Sequence, residues 1–324
     1  MVVVLDAEDR VLYQKRLRNE LGEILSAFVP YQESLQGIVV ESTYNWYWLV
    51  DGLMAAGYRV HLANTTVIEQ YQGLKHTDDQ SDARWLAHLL RLGILPEGYI
   101  YPKEERAVRD LVRKRSQVVR QRTSNLLSIQ NLLTRNTGSS LSGHRIKQLT
   151  LEEVEQLLPQ AELALAGKSN LAVLQCLEEQ MEQIEDGVLS HLKLREGFQP
   201  LLTVSGIGQI LGMTIRLETG EIGRFATVGD FASYCRCVRS QKLSNGKRKG
   251  QGNVKNGNKY LAWAFVEAAN FAVRYNAQIK RFYQRKQAKT NGIVAIKAVA
   301  HKLARASDYL SRDQVPFEVT KAFA

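Results

Sequence analysis

Three acidic residues in the N-terminal third of the chain have a spacing that could hold metal ions. Glu41 ends an apolar run that predicts a buried strand, and Asp79 and Asp82 share one face of a predicted helix. Carboxylate oxygens are the ligands that Mg²⁺ prefers, and two such ions can clamp the attacking and leaving oxygens of a phosphoryl transfer. Acids in the first turn of a helix also balance its dipole, so both interpretations stay open.

A glycine- and lysine-rich loop, residues 244–258, is the second feature that could take part in binding or chemistry. It contains four glycines, no acid and no large apolar residue before Val254, so it cannot pack into a core. Such a loop lies in solvent or against a ligand, and its cations and open backbone suit phosphate contacts. The charge density and the helix that follows favour a nucleic-acid surface over a merely solvated loop. The candidate contacts in and beside the loop are Lys242, Lys247, Arg248, Lys249, Lys255, Asn256, Asn258 and Lys259.

A tight glycine turn precedes an apolar helical stretch near residue 209. Gly206 and Gly208 stand in the segment 203–208, where free backbone N–H groups and the helix dipole could hold a DNA phosphate. This pattern is typical of helix-hairpin-helix DNA-binding motifs, and equally of an ordinary corner between two helices.

The charge of the chain is unevenly distributed. The 324 residues have a formal net charge of +10, yet residues 231–307 alone contain seventeen lysines and arginines against a single acid, Glu267. The rest of the chain is therefore net acidic. Such asymmetry indicates a dedicated phosphate-facing surface rather than a merely soluble basic protein.

The hydrophobic periodicity predicts a mixed α/β plus all-α protein in three regions. Residues 1–102 predict an α/β domain, residues 103–198 two long opposed helices, and residues 199–324 a mostly helical domain. The middle region is either a coiled-coil arm that could join subunits or an ordinary helical linker. In the first region we predict a hairpin of 1–5 with 11–17, helices at 19–28, 44–56 and 79–92, and strands at 37–40 and 58–63.

The cysteine content and hydropathy exclude several classes of protein. Three cysteines, Cys176, Cys235 and Cys237, cannot form a disulfide framework, and the last two lack nearby partners for a zinc site. No apolar run reaches membrane-spanning length and no signal peptide opens the chain, so we expect a cytoplasmic protein.

Four segments in order, 39–44, 75–84, 201–208 and 255–261, resemble a known family. They look like the DEDD transposases of bacterial insertion-sequence family 110, in particular its 1111 subgroup. The resemblance implies a RuvC-like nuclease domain of the ribonuclease H type, a coiled-coil arm and a C-terminal transposase domain. It also implies Mg²⁺, action on DNA, a homo-oligomer (dimer or tetramer), a structured guide RNA, and a place in the bacterial cytoplasm near the nucleoid.

The same resemblance assigns roles to individual residues. Glu41, Asp79 and Asp82 match three of the four metal-binding acids of the family. The covalent serine nucleophile matches Ser244 by its distance from the Lys-Gly and Lys-Asn-Gly segments, with Ser240 as the nearest competitor.

The chain departs from the family at the first-strand aspartate. Residues 2–12 resemble the second strand of the family and its hairpin turn, so we expect Asp6 to be a turn residue and the fourth metal ligand to be absent. Either the start of the chain is placed too late or the sequence is a decayed copy. Loss of a central strand would expose the edges of its neighbours and weaken metal binding.

Three functions follow from these observations. The first is a transposase that cuts and rejoins DNA through Ser244 with Mg²⁺. The second is a metal-only nuclease or junction resolvase that leaves hydrolysed ends. The third is a truncated, non-catalytic remnant that only binds nucleic acid, which predicts salt-sensitive binding without cleavage.

Overall fold

A computed structural model describes residues 1–68, 78–192, 197–238, 242–250 and 256–323. These divide into two compact units, Met1–Lys103 and Glu104–Ala324. The first is mixed α/β and the second almost entirely helical, which confirms the expected mixture of fold classes. The predicted division of the second unit into an arm and a C-terminal domain stays a prediction.

The first unit contains two small sheets with helices between their strands. The predicted N-terminal hairpin is present: β1 pairs antiparallel with β2, with Val4 opposite Tyr13. In the second sheet β3 pairs parallel with β4, and β4 pairs antiparallel with the short β5. The elements are β1 (Val2–Leu5), β2 (Val11–Lys15), α1 (Leu21–Phe28), β3 (Ile38–Glu41), α2 (Tyr47–Ala55), β4 (Val60–Ala63), α3 (Asp79–Arg91) and β5 (Glu97–Gly98).

The two sheets share a core without sharing hydrogen bonds. Val4 of β1 and Val40 of β3 pack into one apolar cluster with α1 and α2. Within the described part of the chain, β1 pairs only with β2 and β3 only with β4. One edge of β1 and one edge of β3 are therefore left without a neighbouring strand.

The second unit is built from helices, with one small hairpin. Its helices are α4 (Lys103–Thr137), α5 (Gly143–Lys147), α6 (Leu151–Leu157), α7 (Ala161–Leu192), α8 (Phe198–Leu202), α9 (Gln209–Thr219), α10 (Val228–Tyr234), α11 (Lys259–Tyr275), α12 (Ala277–Lys289), α13 (Gly292–Asp313) and α14 (Val319–Phe323). The hairpin consists of β6 (Lys242–Ser244) and β7 (Lys247–Gly250).

The long helices α4 and α7 run antiparallel and are joined by ion pairs. Arg115 of α4 pairs with Glu185 of α7 at 2.6 Å, and seven residues further along α4 Arg122 approaches Glu178 at 3.6 Å. The arginine-rich helix and the acidic helical zone thus lie against each other, as the sequence predicts. Among the described helices none is long and apolar enough to cross a membrane.

Helix α11 is the centre of the C-terminal core. Four of its alanines, Ala264, Ala268, Ala269 and Ala272, are fully buried and let neighbouring helices approach closely. Cys235 belongs to the same core, and burial raises the pKa of its thiol. Cys235 is thus a packing residue of this core.

Candidate functional site

Three acids stand at the start of α3, and one of them, Asp78, has a different role from the two candidate ligands. The Asp78 carboxylate caps the helix by accepting hydrogen bonds from the backbone N–H groups of Gln80, at 3.1 Å, and Ser81, at 2.7 Å. Asp79 and Asp82 follow it, and neither carboxylate forms a hydrogen bond or ion pair with any residue that the structure describes. The cap therefore does not explain why these two acids are present.

Glu41 stands at the end of β3 within electrostatic reach of both α3 acids. Partial burial, and then the charges of Asp82 and Asp79, raise the pKa of the Glu41 carboxyl. Burial likewise raises the pKa of Asp82, with further contributions from Asp78 and Asp79. Mutual repulsion of this kind favours a bound cation, which would relieve it.

The three carboxylates do not form a closed metal site as they stand. Among the described residues no group of three histidine, cysteine or acidic side chains is close enough together to hold a metal ion. Their oxygen donors fit a divalent ion of the Mg²⁺ type in chemistry. Their spacing is wider than that of a formed site.

A cavity of about 1120 Å³ lies beside these acids in the first unit. Its walls include Val2 and Val4 of β1, Ile38 and Val40 of β3, and all three candidate ligands. Strands β1 and β3, each of which has only one partner among the described strands, therefore both contribute residues to its walls.

Asp6 is a turn residue, as the sequence suggests. Its carboxylate accepts hydrogen bonds from the backbone N–H groups of Glu8, at 3.0 Å, and Arg10, at 2.8 Å. The Arg10 side chain adds an ion pair at 2.7 Å. The backbone hydrogen bond from Arg10 is the largest of the contributions that lower the pKa of Asp6.

Ser244 lies at the tip of the β6–β7 hairpin in the second unit. The prediction of an irregular loop is corrected here, because residues 242–250 form two short strands. Asn245 and Gly246 make the turn with φ of 50° and 70°, the conformation that an Asn-Gly pair favours in two-residue hairpins. Ser244, Lys247 and Lys249 are all exposed.

The remaining loop predictions divide into described and undescribed positions. Ser240 and Lys255 lie outside the described residues, as do the side chains of Lys242 and Arg248. Asn256 and Lys259 are exposed at the far end of the loop. These two remain available to a ligand.

Asn258 differs from its neighbours because its side chain is used inside the protein. Its amide nitrogen donates to Glu218 at 2.7 Å, and its oxygen caps α11 by accepting from the backbone N–H of Tyr260 at 2.8 Å. Glu218 in turn forms two hydrogen bonds with the guanidinium of Arg113, at 2.6 and 2.8 Å. The expectation that Asn258 contacts nucleic acid directly is corrected, since it anchors the end of the loop.

The sequence interpretation missed Glu218 and Arg113. One signal was available for Glu218, because an acid in the last turn of a helix opposes the helix dipole and needs a cation nearby. Arg113 carried no such local signal, since it lies 105 residues away along the chain.

Gly206 and Gly208 have separate roles. Gly206 has a φ of +92°, and a Cβ there would overlap the Ala268 carbonyl oxygen and lie 2.7 Å from the Ala272 amide nitrogen. Gly206 is thus required for the close packing of the turn on α11, and its assignment as a phosphate contact stays a prediction. Gly208 is exposed with open space around it and remains a candidate for that contact.

Comparison with known proteins finds transposase families that match segments of both units. A model of DEDD transposases of the IS110 type matches residues 1–137, and a model of the transposase IS116/IS110/IS902 family matches residues 199–284. A Pseudomonas aeruginosa protein named "Probable family 20 transposase" is 27% identical over 80% of this chain and 78% of its own length. The "Transposase for insertion sequence element IS1328" of Yersinia enterocolitica is 28% identical over 39% of each chain.

Proposed function

Since the chain belongs to the DEDD transposase family of the IS116/IS110/IS902 insertion sequences, we propose that it cuts and rejoins DNA through Ser244. The observation that carries the proposal is the exposure of Ser244 at a hairpin tip beside Lys247 and Lys249. A serine that attacks phosphate needs a reachable hydroxyl and nearby positive charge to stabilise the transition state.

The covalent step conserves the energy of the phosphodiester bond. The Ser244 hydroxyl oxygen attacks phosphorus, a bond from phosphorus to a DNA oxygen breaks, and the released DNA hydroxyl takes up a proton. The serine proton passes to a carboxylate or a water molecule. Attack by another DNA hydroxyl on the phosphoserine link reverses the step and completes strand exchange.

Glu41, Asp79 and Asp82 are the residues that would hold a divalent ion, which we propose to be Mg²⁺. When bound, the ion supplies positive charge that activates the attacking hydroxyl and stabilises the phosphoryl oxygens. Their shared cavity and raised Glu41 pKa support this assignment. We further propose that the first unit is a RuvC-like nuclease domain, in line with its hairpin, parallel strand pair and acid-bearing helix.

The family resemblance also supports a guide RNA and a homo-oligomer as partners. The excess of cations over residues 231–307 suits either nucleic acid. The paired helices α4 and α7 are long enough to form an arm between subunits, and this coiled-coil role is part of the same proposal.

A trapped covalent adduct tests the role of Ser244. Incubation of the chain with a nicked DNA substrate and Mg²⁺ should give a protein–DNA adduct that survives denaturing electrophoresis, and Ser244→Ala should abolish it. Ser240→Ala is the matched control and should keep the adduct. Adduct formation by Ser244→Ala would show that the nucleophile is another residue.

A second function, binding of nucleic acid without cleavage, is favoured by the open spacing of the three acids and the cavity beside them. It predicts no adduct and no cleaved ends at any Mg²⁺ concentration. Hydrolysed ends without an adduct would instead indicate a metal-only nuclease.

A further inference from the structure

One face of helix α11 remains in solvent and carries aromatic rings among polar and basic side chains. The opposite face packs into the core through Leu261, Phe265 and the buried alanines. Since an α-helix turns once in about 3.6 residues, positions four and eleven apart fall on the same side, and positions twelve apart differ by about a third of a turn. The exposed stripe consists of Lys259, Trp263, Asn270, Phe271, Arg274 and Tyr275.

The rings of this stripe are arranged for stacking. Phe271 and Tyr275 lie nearly parallel, with 7° between their planes and 6.5 Å between their centres. The guanidinium of Arg274 lies 5.9 Å from each ring centre. Trp263 and Phe271 are each 42% exposed and Tyr275 is 75% exposed. Exposed aromatic side chains on one half of a helix surface, unlike singly scattered apolar residues, indicate a binding surface.

The charges of α11 and of the helix that follows it in the chain indicate the kind of ligand. Glu267 is the single acid of α11 and is half-buried, whereas the next helix exposes five cations. Those cations on α12 are Lys280, Arg281, Arg285, Lys286 and Lys289. A protein interface is usually poor in charge at its centre, while flat rings among cations match a polyanion with flat bases.

We propose that this face of α11 is a stacking surface for unpaired nucleobases, with Trp263, Phe271 and Tyr275 as the stacking rings. Arg274 and Lys259 supply charge to the phosphates beside them. A duplex would not use the surface in this way, because its bases already stack on one another. The proposal rests on the proposed function only in taking nucleic acid as the ligand of the second unit.

Fluorescence anisotropy with labelled oligonucleotides of about 12 nucleotides tests the proposal on the full chain. Trp263→Ala and Tyr275→Ala should each weaken binding of a single strand at least about fivefold. Binding of the matching duplex should change by less than about twofold. Because no cation is removed, the dependence of affinity on salt should keep its slope. Tyr309→Ala removes an exposed tyrosine of α13 in the same unit, and this control should bind like the parent chain.

Equal losses for single strands and duplexes, or losses no larger than that of Tyr309→Ala, would overturn the proposal. So would a change of oligomeric state in light scattering, since the face would then bind protein. DNA and RNA strands of one sequence show which nucleic acid supplies the bases. The anisotropy measurement needs no cleavage and no Mg²⁺, so a failure of the nucleophile assignment would leave its result unaffected.

Discussion

The ion pair between Arg113 and Glu218 allows a prediction whose size follows from unequal burial. The Glu218 side chain is 1% exposed and the Arg113 side chain 32% exposed. Arg113→Met leaves a buried carboxylate with only the Asn258 amide among its described partners, and we expect the free energy of unfolding to fall by about 3 kcal/mol. Glu218→Gln leaves a guanidinium that water can reach, and the expected loss is about 1 kcal/mol.

Urea unfolding followed by far-ultraviolet circular dichroism measures both losses. Arg145→Met is the matched control, because Arg145 pairs with a partner, Glu153, that is itself 34% exposed. Removing such an exposed pair should cost less than about 1 kcal/mol. If Arg113→Met costs no more than Arg145→Met, or Glu218→Gln costs more than Arg113→Met, unequal burial does not govern this site.

Three further predictions concern the glycine turn and the acids. Gly206→Ala forces a Cβ into the backbone of α11 and should lower the unfolding free energy by more than about 1 kcal/mol, while Gly208→Ala, in open space, should change it little in the same thermal melt. The pKa of Glu41 is raised in the folded chain, so protonated Glu41 stabilises the fold at pH values below its ordinary pKa of 4.5. This stabilisation is lost as the pH rises through the folded-state pKa. Glu41→Gln should therefore raise the urea midpoint at about pH 7 and leave it unchanged at about pH 3. Asp78→Ala removes the α3 cap and should cost about 1 kcal/mol by thermal melt, and Asp79→Ala should cost clearly less.

Local patterns in the sequence locate the helices, the strands and the acid trio. Strand β3 and helix α3 were predictable because hydrophobic period and helix spacing are local properties. The β6–β7 hairpin could also have been predicted, since Asn245-Gly246 is a strong signal for a two-residue hairpin turn. The cations and glycines around it favoured the prediction of a loop instead. The family resemblance, rather than any spacing rule, singled out Ser244.

Contacts between distant segments were beyond prediction. Asn258 anchors the basic loop through its hydrogen bond to Glu218, which lies 40 residues earlier in the chain. No sequence periodicity links these two residues. The sequence indicates a tight turn at Gly206, but not that a carbonyl of α11 stands where a side chain would be. In both cases a residue assigned to ligand binding positions the backbone, and a glycine or asparagine suits either role.

The cavity lined by β1 and β3 predicts uneven protection within the first unit. Strand β4 has a partner on both sides, whereas β3 has a partner on one side only and contributes residues to the cavity walls. In hydrogen exchange measured by mass spectrometry, peptides that cover 60–63 should exchange most slowly in this unit. Peptides that cover 2–5 and 38–41 should exchange faster although their side chains belong to the core, because local opening depends on backbone pairing as well as burial. Helix α11, whose inner face is buried in the core of the second unit, is the slowly exchanging reference. Equal protection of all three strands would contradict this prediction. It would show that the free edges of β1 and β3 are hydrogen-bonded in solution.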